Sequence, residues 1–220
     1  LVIHLKMTGQ LVFRSDKAVF GAGHPNDSLV GKLPDQSTRV IFDLDGAKLF
    51  FNDQRKFGWI KLLPTIEIPN IDFFKKVGPE PLASDFKPAD FVDRFKRKQN
   101  SLIKAALLEQ SVIAGIGNIY ADESLWGAKI NPSTRVKDIS DATLRILFQE
   151  IKFVLKLSID KGGSTDKNYV NAEGGKGSYL AFSRVFRREN QPCPRCESTI
   201  EKTRVAGRGT HICPICQKLA

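Results

Sequence analysis

The chain has 220 residues, with 34 Lys and Arg against 24 Asp and Glu, a formal net charge of +10. Hydrophobic residues make up 41% and charged residues 26%, a mix that buries a core and excludes bulk disorder. No apolar run approaches the ~18 residues of a membrane span. The basic balance instead favours a polyanionic partner.

The chain opens Leu1-Val2-Ile3-His4-Leu5, without Met and without the charged-then-apolar order of a signal peptide. It reads as the middle of a β-strand, and the expectation is a fragment whose upstream neighbours are absent. Short β-branched and aromatic runs follow at Val2 to Leu5, Gln10 to Phe13, Thr38 to Leu44 and Ala47 to Phe51. Asp45-Gly46 between the last two predicts a hairpin. Gly21 to Gln36, rich in Gly, Pro, Asn and Asp, predicts a long loop.

From Pro64 the prolines at 69, 79, 81 and 88 mark a connection, and the periodicity then turns helical. Helices are expected from Pro88, over Ser101 to Glu109, over Asn118 to Trp126 and over Ser140 to Ile159. The last carries Leu144, Leu147, Phe148, Ile151, Val154 and Leu155 at spacings of three and four. Lys161 to Ser178 is a glycine-rich break. The organisation expected is a β-rich region over 1–64, a linker over 65–87, a helical domain over 88–183 and a cysteine-bearing unit over 184–220.

All four cysteines, Cys193, Cys196, Cys213 and Cys216, form a C-x2-C-x16-C-x2-C pattern. Two such turns complete a tetrahedral thiolate shell, which predicts one structural zinc, with iron the other candidate for soft sulfur ligands. Two disulfides would be the alternative in an oxidising compartment. Four protein ligands leave no open position for a reacting water, so the metal is not the catalyst. Lys202 to His211, basic with Gly and Thr between the cysteine pairs, suits a hairpin tip on a phosphate backbone. Gly115-Ile116-Gly117 before a helix lets backbone N–H groups face an anion, with Asn118 adding an amide and Lys104 nearby. Taken alone the glycines could serve helix packing only; the neighbouring Lys104 and the terminal hairpin favour phosphate binding.

Gln110 to Leu125, QSVIAGIGNIYADESL, resembles the helix-two-turn-helix signature of the formamidopyrimidine-DNA glycosylase family. His4-Leu5-Lys6-Met7-Thr8-Gly9, Asn52 to Gly58, Gly78 to Leu82 and the four-cysteine unit are similar to the family's other motifs and run in family order. The resemblance implies an α+β fold: a remnant of an N-terminal β-sandwich domain plus a helical helix-two-turn-helix domain with a C-terminal zinc-finger hairpin. It implies damaged double-stranded DNA bound as a monomer in the cleft between the halves, no membrane, and a bacterial cytosolic or nucleoid location. The implied activity is base-excision repair, in which oxidised purines (8-oxoguanine, formamidopyrimidine) are excised and the abasic strand is nicked by β,δ-elimination.

In the family the nucleophile is the amine of an N-terminal proline, helped by the adjacent glutamate and a later lysine. A secondary amine of lowered pKa forms an iminium readily. Position 1 here is Leu, so these groups are expected upstream, and the chain alone is expected to be inactive.

Met7, Arg55 and Phe57 match the residues that fill the void left by a flipped nucleotide, although core packing would explain Met7 and Phe57 on pattern alone. Lys104, Asn118 and Arg208 match phosphate-binding positions. Glu173, Gly174, Gly175, Gly177 and Tyr179 match the loop that covers the extruded base. Gln54 and Lys56 depart from the family's frequent Pro and Arg, and Lys6 from a frequent Gly. An endonuclease VIII-like enzyme for oxidised pyrimidines and a non-catalytic damaged-DNA binder are the alternatives.

Overall fold

Strand pairing at the front of the chain follows from runs that suit a pleated, half-buried surface. The computed structural model describes residues 1–23, 31–164 and 177–219. Its first six strands are β1 (Val2–His4), β2 (Gly9–Ser15), β3 (Val19–Gly23), β4 (Thr38–Leu44), β5 (Ala47–Asp53) and β6 (Trp59–Lys61). They form a four-stranded antiparallel sheet of order β3-β2-β5-β4 and a two-stranded β1-β6 pair. The Asp45-Gly46 hairpin is present, with pairing continuing to Leu44↔Ala47 and Gly46 at φ 74°.

Two features differ from expectation. Of the loop expected over Gly21 to Gln36, residues 21–23 belong to the strand Val19–Gly23, and residues 24–30 lie outside the described residues. Gly23, at φ 115°, comes so close to Gly9 and Gln10 that a Cβ would collide with their backbone, and such glycines hide a strand from the sequence pattern. Strand β6 was not anticipated either. It is three residues long and exists through its pairing with β1.

The helices are α1 (Asp72–Lys76), α2 (Pro88–Lys96), α3 (Ile103–Leu108), α4 (Asn118–Gly127) and α5 (Asp141–Asp160). Helix α2 has Pro88 at its first position, and the backbone N–H of Lys87 donates to Asp90 at 3.0 Å, an N-terminal cap. Phe91 and Phe95, one turn apart, pack with tilted rings whose centroids are 4.3 Å apart. The stripe Leu144, Leu147, Phe148 and Ile151 of α5 joins them in one core with Ile103, Leu107, Ile116 and Leu125. Helix α3 is shorter than expected, starting after Leu102, whose extended backbone bridges Arg135. The chain ends in the hairpin β7 (Glu201–Val205) and β8 (Arg208–Ile212).

This is an α+β fold. One compact unit comprises Leu1–Ile71 with Ser158–Ala181, and the other Asp72–Leu157 with Phe182–Ala220. Among the described residues, no helix is long and apolar enough to cross a membrane.

Candidate nucleic-acid interface and metal centre

In the strand-rich unit, register brings two distant turns together. Gly9 pairs with Asp53 and Gln10 with Asn52, so the β1–β2 turn lies beside the β5–β6 loop. The first turn is closed by Gly9 N–H on the Leu5 carbonyl at 2.8 Å, and a Cβ on Gly9 would strike that carbonyl. Met7 stands on this turn at 65% exposure and Phe57 on the neighbouring loop at 57%. Core packing is therefore not what holds either side chain. The Arg55 guanidinium lies 4.8 Å from the Phe57 ring centroid, a cation–π contact. Lys6 and Lys56, next to Met7 and Phe57, hold left-handed φ values of 52° and 58°. That costs a lysine roughly 1–2 kcal/mol, the kind of backbone strain that collects at functional turns.

Both turns converge on Asp53, which the sequence did not single out. Its carboxylate accepts the Thr8 hydroxyl at 2.5 Å and the N–H groups of Gly58 at 2.7 Å and Arg55 at 3.2 Å. Burial pushes this carboxyl upward, but these hydrogen bonds and one from the Phe57 N–H outweigh it and hold the group below its ordinary range. Thr8 and Asp53 lie 45 residues apart, and no local pattern announces the pair.

In the helical unit, Arg208 is exposed at the start of β8, just past a two-residue turn with Ala206 at φ 48° and Gly207 at φ 75°. Positive φ at both positions matches the twist of a tight hairpin. Asn118 donates its side-chain amide to the Gly209 carbonyl at 3.0 Å, which places it against the same tip.

Lys104 departs from expectation. It is 0% exposed, and its ammonium donates to Asp122 at 2.6 Å, to the Thr210 hydroxyl at 2.7 Å and to the Gly209 carbonyl at 3.0 Å. An ammonium has three hydrogens, and all are used. In this structure Lys104 therefore acts as a strut beneath the hairpin, with its ammonium turned to protein acceptors. Burial is the main force lowering its pKa; Asp122 opposes it and Arg208 adds to it. Asp122 also accepts the backbone N–H of His211 at 2.9 Å, clamping β8 to α4.

The glycine pair divides its roles. Gly115, at φ 75°, gives its N–H to the Gln110 side chain at 2.9 Å. Gly117 is the N-cap of α4, whose first turn has no side-chain cap. An uncapped N-terminus of this kind attracts anions.

The four cysteine Sγ atoms lie within 4.8 Å of one another, with Cys196 3.4 Å from Cys216 and 3.5 Å from Cys213, and Cys193 4.0 Å from Cys216. A tetrahedral zinc with ~2.3 Å bonds to sulfur needs edges of about 3.8 Å. All four are free thiols rather than disulfides. Hydrogen bonds from Ser198 draw Cys196 down to about 6, while burial and neighbouring thiols push Cys216 up to about 12. Without a cation such a cluster resists full ionisation, and a dication removes that conflict. The donor set and spacing are those of one structural zinc.

The seat of the finger is built from buried groups. The Trp126 indole donates to Cys193 at 3.4 Å. The fully buried Glu123 carboxylate collects the backbone N–H groups of Arg184, Val185 and Phe186 at 2.8–2.9 Å. Glu123 and Asp122 were not singled out from the sequence.

Of the expected covering loop, Glu173, Gly174 and Gly175 lie outside the described residues. At its base Ser164 bridges Ser178, and Gly177 packs so tightly that a Cβ would overlap the Gly163 carbonyl. Tyr179 is 1% exposed, which makes it an anchor of that base.

The chain matches the formamidopyrimidine-DNA glycosylase N-terminal domain over residues 1–60, the family's H2TH domain over 77–169, and the zinc finger found in FPG and IleRS over 190–219. The formamidopyrimidine-DNA glycosylase of Streptococcus mutans is 38% identical over 220 residues, covering 99% of this chain and 75% of that protein. That of Herpetosiphon aurantiacus is 41% identical over 218 residues, covering 99% and 74%. The Lactococcus lactis Fpg in complex with abasic-site DNA superposes with a TM-score of 0.80 at 32% identity, covering 98% of this chain and 74% of that one. A structure of MutM with carbocyclic 8-oxo-G containing DNA gives a TM-score of 0.79, also at 32% identity, covering 98% and 73%. Three matched domains in order, with identity of this level over nearly the whole chain, place it in the formamidopyrimidine-DNA glycosylase family.

Proposed function

We propose that this chain serves base-excision repair as part of a DNA glycosylase and abasic-site lyase acting on oxidised purines, 8-oxoguanine and formamidopyrimidine among them. The observation that carries the reading is the exposure of Met7 and Phe57, with Arg55 stacked on the ring, on two turns locked side by side. Exposed apolar groups on rigid turns suit insertion into a base stack from which a nucleotide has been extruded, because flipping costs stacking energy that a wedge restores. Arg208, Asn118 and the uncapped α4 N-terminus take the strand's phosphates. Zinc, when bound, supplies the folding energy of the hairpin that presents Arg208.

Excision and strand cleavage follow the family's Schiff-base chemistry at an N-terminal proline amine. Residues 1–220 are expected to bind abasic-site duplex in preference to intact duplex. Joined behind an upstream segment beginning Pro-Glu, they are expected to trap DNA and excise 8-oxoguanine. Equal affinity for intact and abasic duplexes would overturn the binding assignment. Excision of oxidised pyrimidines alone by the joined protein would move the substrate to the endonuclease VIII-like class.

A further inference from the structure

We propose that Asp53 and Thr8 are positioning residues for the void-filling group: carboxylate and hydroxyl together lock the turn carrying Met7 to the loop carrying Arg55 and Phe57. This rests on the wedge reading above.

The β2–β5 ladder ends at Gly9↔Asp53. Beyond that point the two turns leave the sheet, and side-chain chemistry takes over from the ladder. One oxygen of the Asp53 carboxylate receives both the Thr8 hydroxyl and the Arg55 N–H, and the other receives the Gly58 N–H. Thr8 in turn accepts the same Arg55 N–H at 3.2 Å, so the backbone of Arg55 is pinned from both turns at once. The Asp53 carbonyl holds the Arg39 guanidinium at 2.8 Å, tying the knot to the adjacent strand β4. Gly58 completes it. A Cβ there would press on the Phe51 ring at 2.7 Å, the His4 carbonyl at 3.0 Å and the Asp53 carboxylate at 3.1 Å, so only glycine lets the chain turn back to β6 while its N–H reaches the carboxylate.

Met and Arg are rotamer-rich side chains whose ordering opposes insertion. A backbone frozen beforehand leaves less to order at the moment of unstacking. Charge-assisted bonds to a buried carboxylate are the strong kind, and they also balance the strained φ of Lys56 inside the same loop.

The test uses the 220-residue chain with a duplex carrying a tetrahydrofuran abasic analogue and 2-aminopurine opposite it, against the matched intact duplex. Thr8→Val and Asp53→Asn are each expected to lower the preference for the abasic duplex at least fivefold and to shrink the saturating 2-aminopurine signal. Thr8→Ser, which keeps the hydroxyl, restores both. Should Asp53→Asn unfold the sheet, the Thr8→Val and Thr8→Ser pair decides, since a purely structural threonine would not separate them in the fluorescence signal. If Phe57→Ala abolishes preference and signal while Thr8→Val keeps them, the positioning role is wrong and the wedge stands. If Phe57→Ala and Met7→Ala leave both readouts intact, the wedge reading itself falls and takes this inference with it.

Discussion

Met7 and Phe57 are 65% and 57% exposed on the turns of the strand-rich unit, whereas Lys104, Asp122 and Glu123 are wholly buried in the helical unit. Each region departs from the ordinary distribution of residues, and in opposite directions. The apolar groups face outward on backbone held by one buried carboxylate. The charged groups face inward and hold backbone that presents a cation, Arg208, outward. In both regions a buried charged group fixes the backbone of an exposed one: Asp53 that of Arg55 and its neighbours, Lys104 and Asp122 that of the Arg208 hairpin. A charged residue in a motif can serve the backbone around it; Lys104 has the residue type of a phosphate ligand and the position of a strut.

The zinc seat tests the inward-facing region hardest. Chelation, or Cys213→Ser, is expected to release one zinc per chain and melt the hairpin, a loss on the order of 10 kcal/mol of metal-coupled folding energy. Elemental analysis and near-ultraviolet circular dichroism follow it, and full retention of the hairpin signal after zinc loss would contradict the assignment.

Next in size is Lys104→Ala, which strands the Asp122 carboxylate in the core and is expected to cost about 3–5 kcal/mol in denaturant unfolding. An exposed phosphate-binding lysine would cost less than ~0.5 kcal/mol, so the measurement separates the strut from the ligand. Pairing Lys104→Met with Asp122→Asn is expected to recover part of the loss.

Acid unfolding probes the anchor of the outward-facing region. The folded Asp53 carboxyl lies below its ordinary 3.8, so its stabilisation is complete above that value and lost as pH falls through the lower, folded one. Asp53→Asn is expected to flatten the stability curve below about pH 3.8; an unchanged acid limb would count against a charged, hydrogen-bonded Asp53.

Arg208→Ala is expected to leave the unfolding midpoint in place and to lower the slope of log K against log[salt] by about one, while Lys104→Met, where it folds, lowers affinity through a displaced hairpin. The smallest stability effects belong to Phe57→Ala and Met7→Ala, within about 0.5 kcal/mol for exposed positions. A core phenylalanine would instead cost ~3–5 kcal/mol, and finding that cost at Phe57 would erase the contrast between the two regions.

The sequence by itself determined whatever is closed over a short stretch of chain. The cysteine pairs reach one ion because each pair sits on its own tight turn. Asp45-Gly46 turns a hairpin because Gly46 accepts φ 74° without a Cβ. The α5 stripe from Leu144 to Ile151 is buried because a 3.6-residue period puts those side chains on one face. The motif order carried the family.

Only the tertiary structure decided which distant groups meet. Strand β3 is hidden by its own glycines, and β6 is a strand because β1 pairs with it. The Thr8–Asp53 bond spans 45 residues and the Lys104–Gly209 bond 105. Contacts at that separation depend on sheet register and helix packing, which leave no periodic trace in the residues between. That is why Asp53 escaped notice and why the burial of Lys104 beneath the hairpin could not be read from its motif.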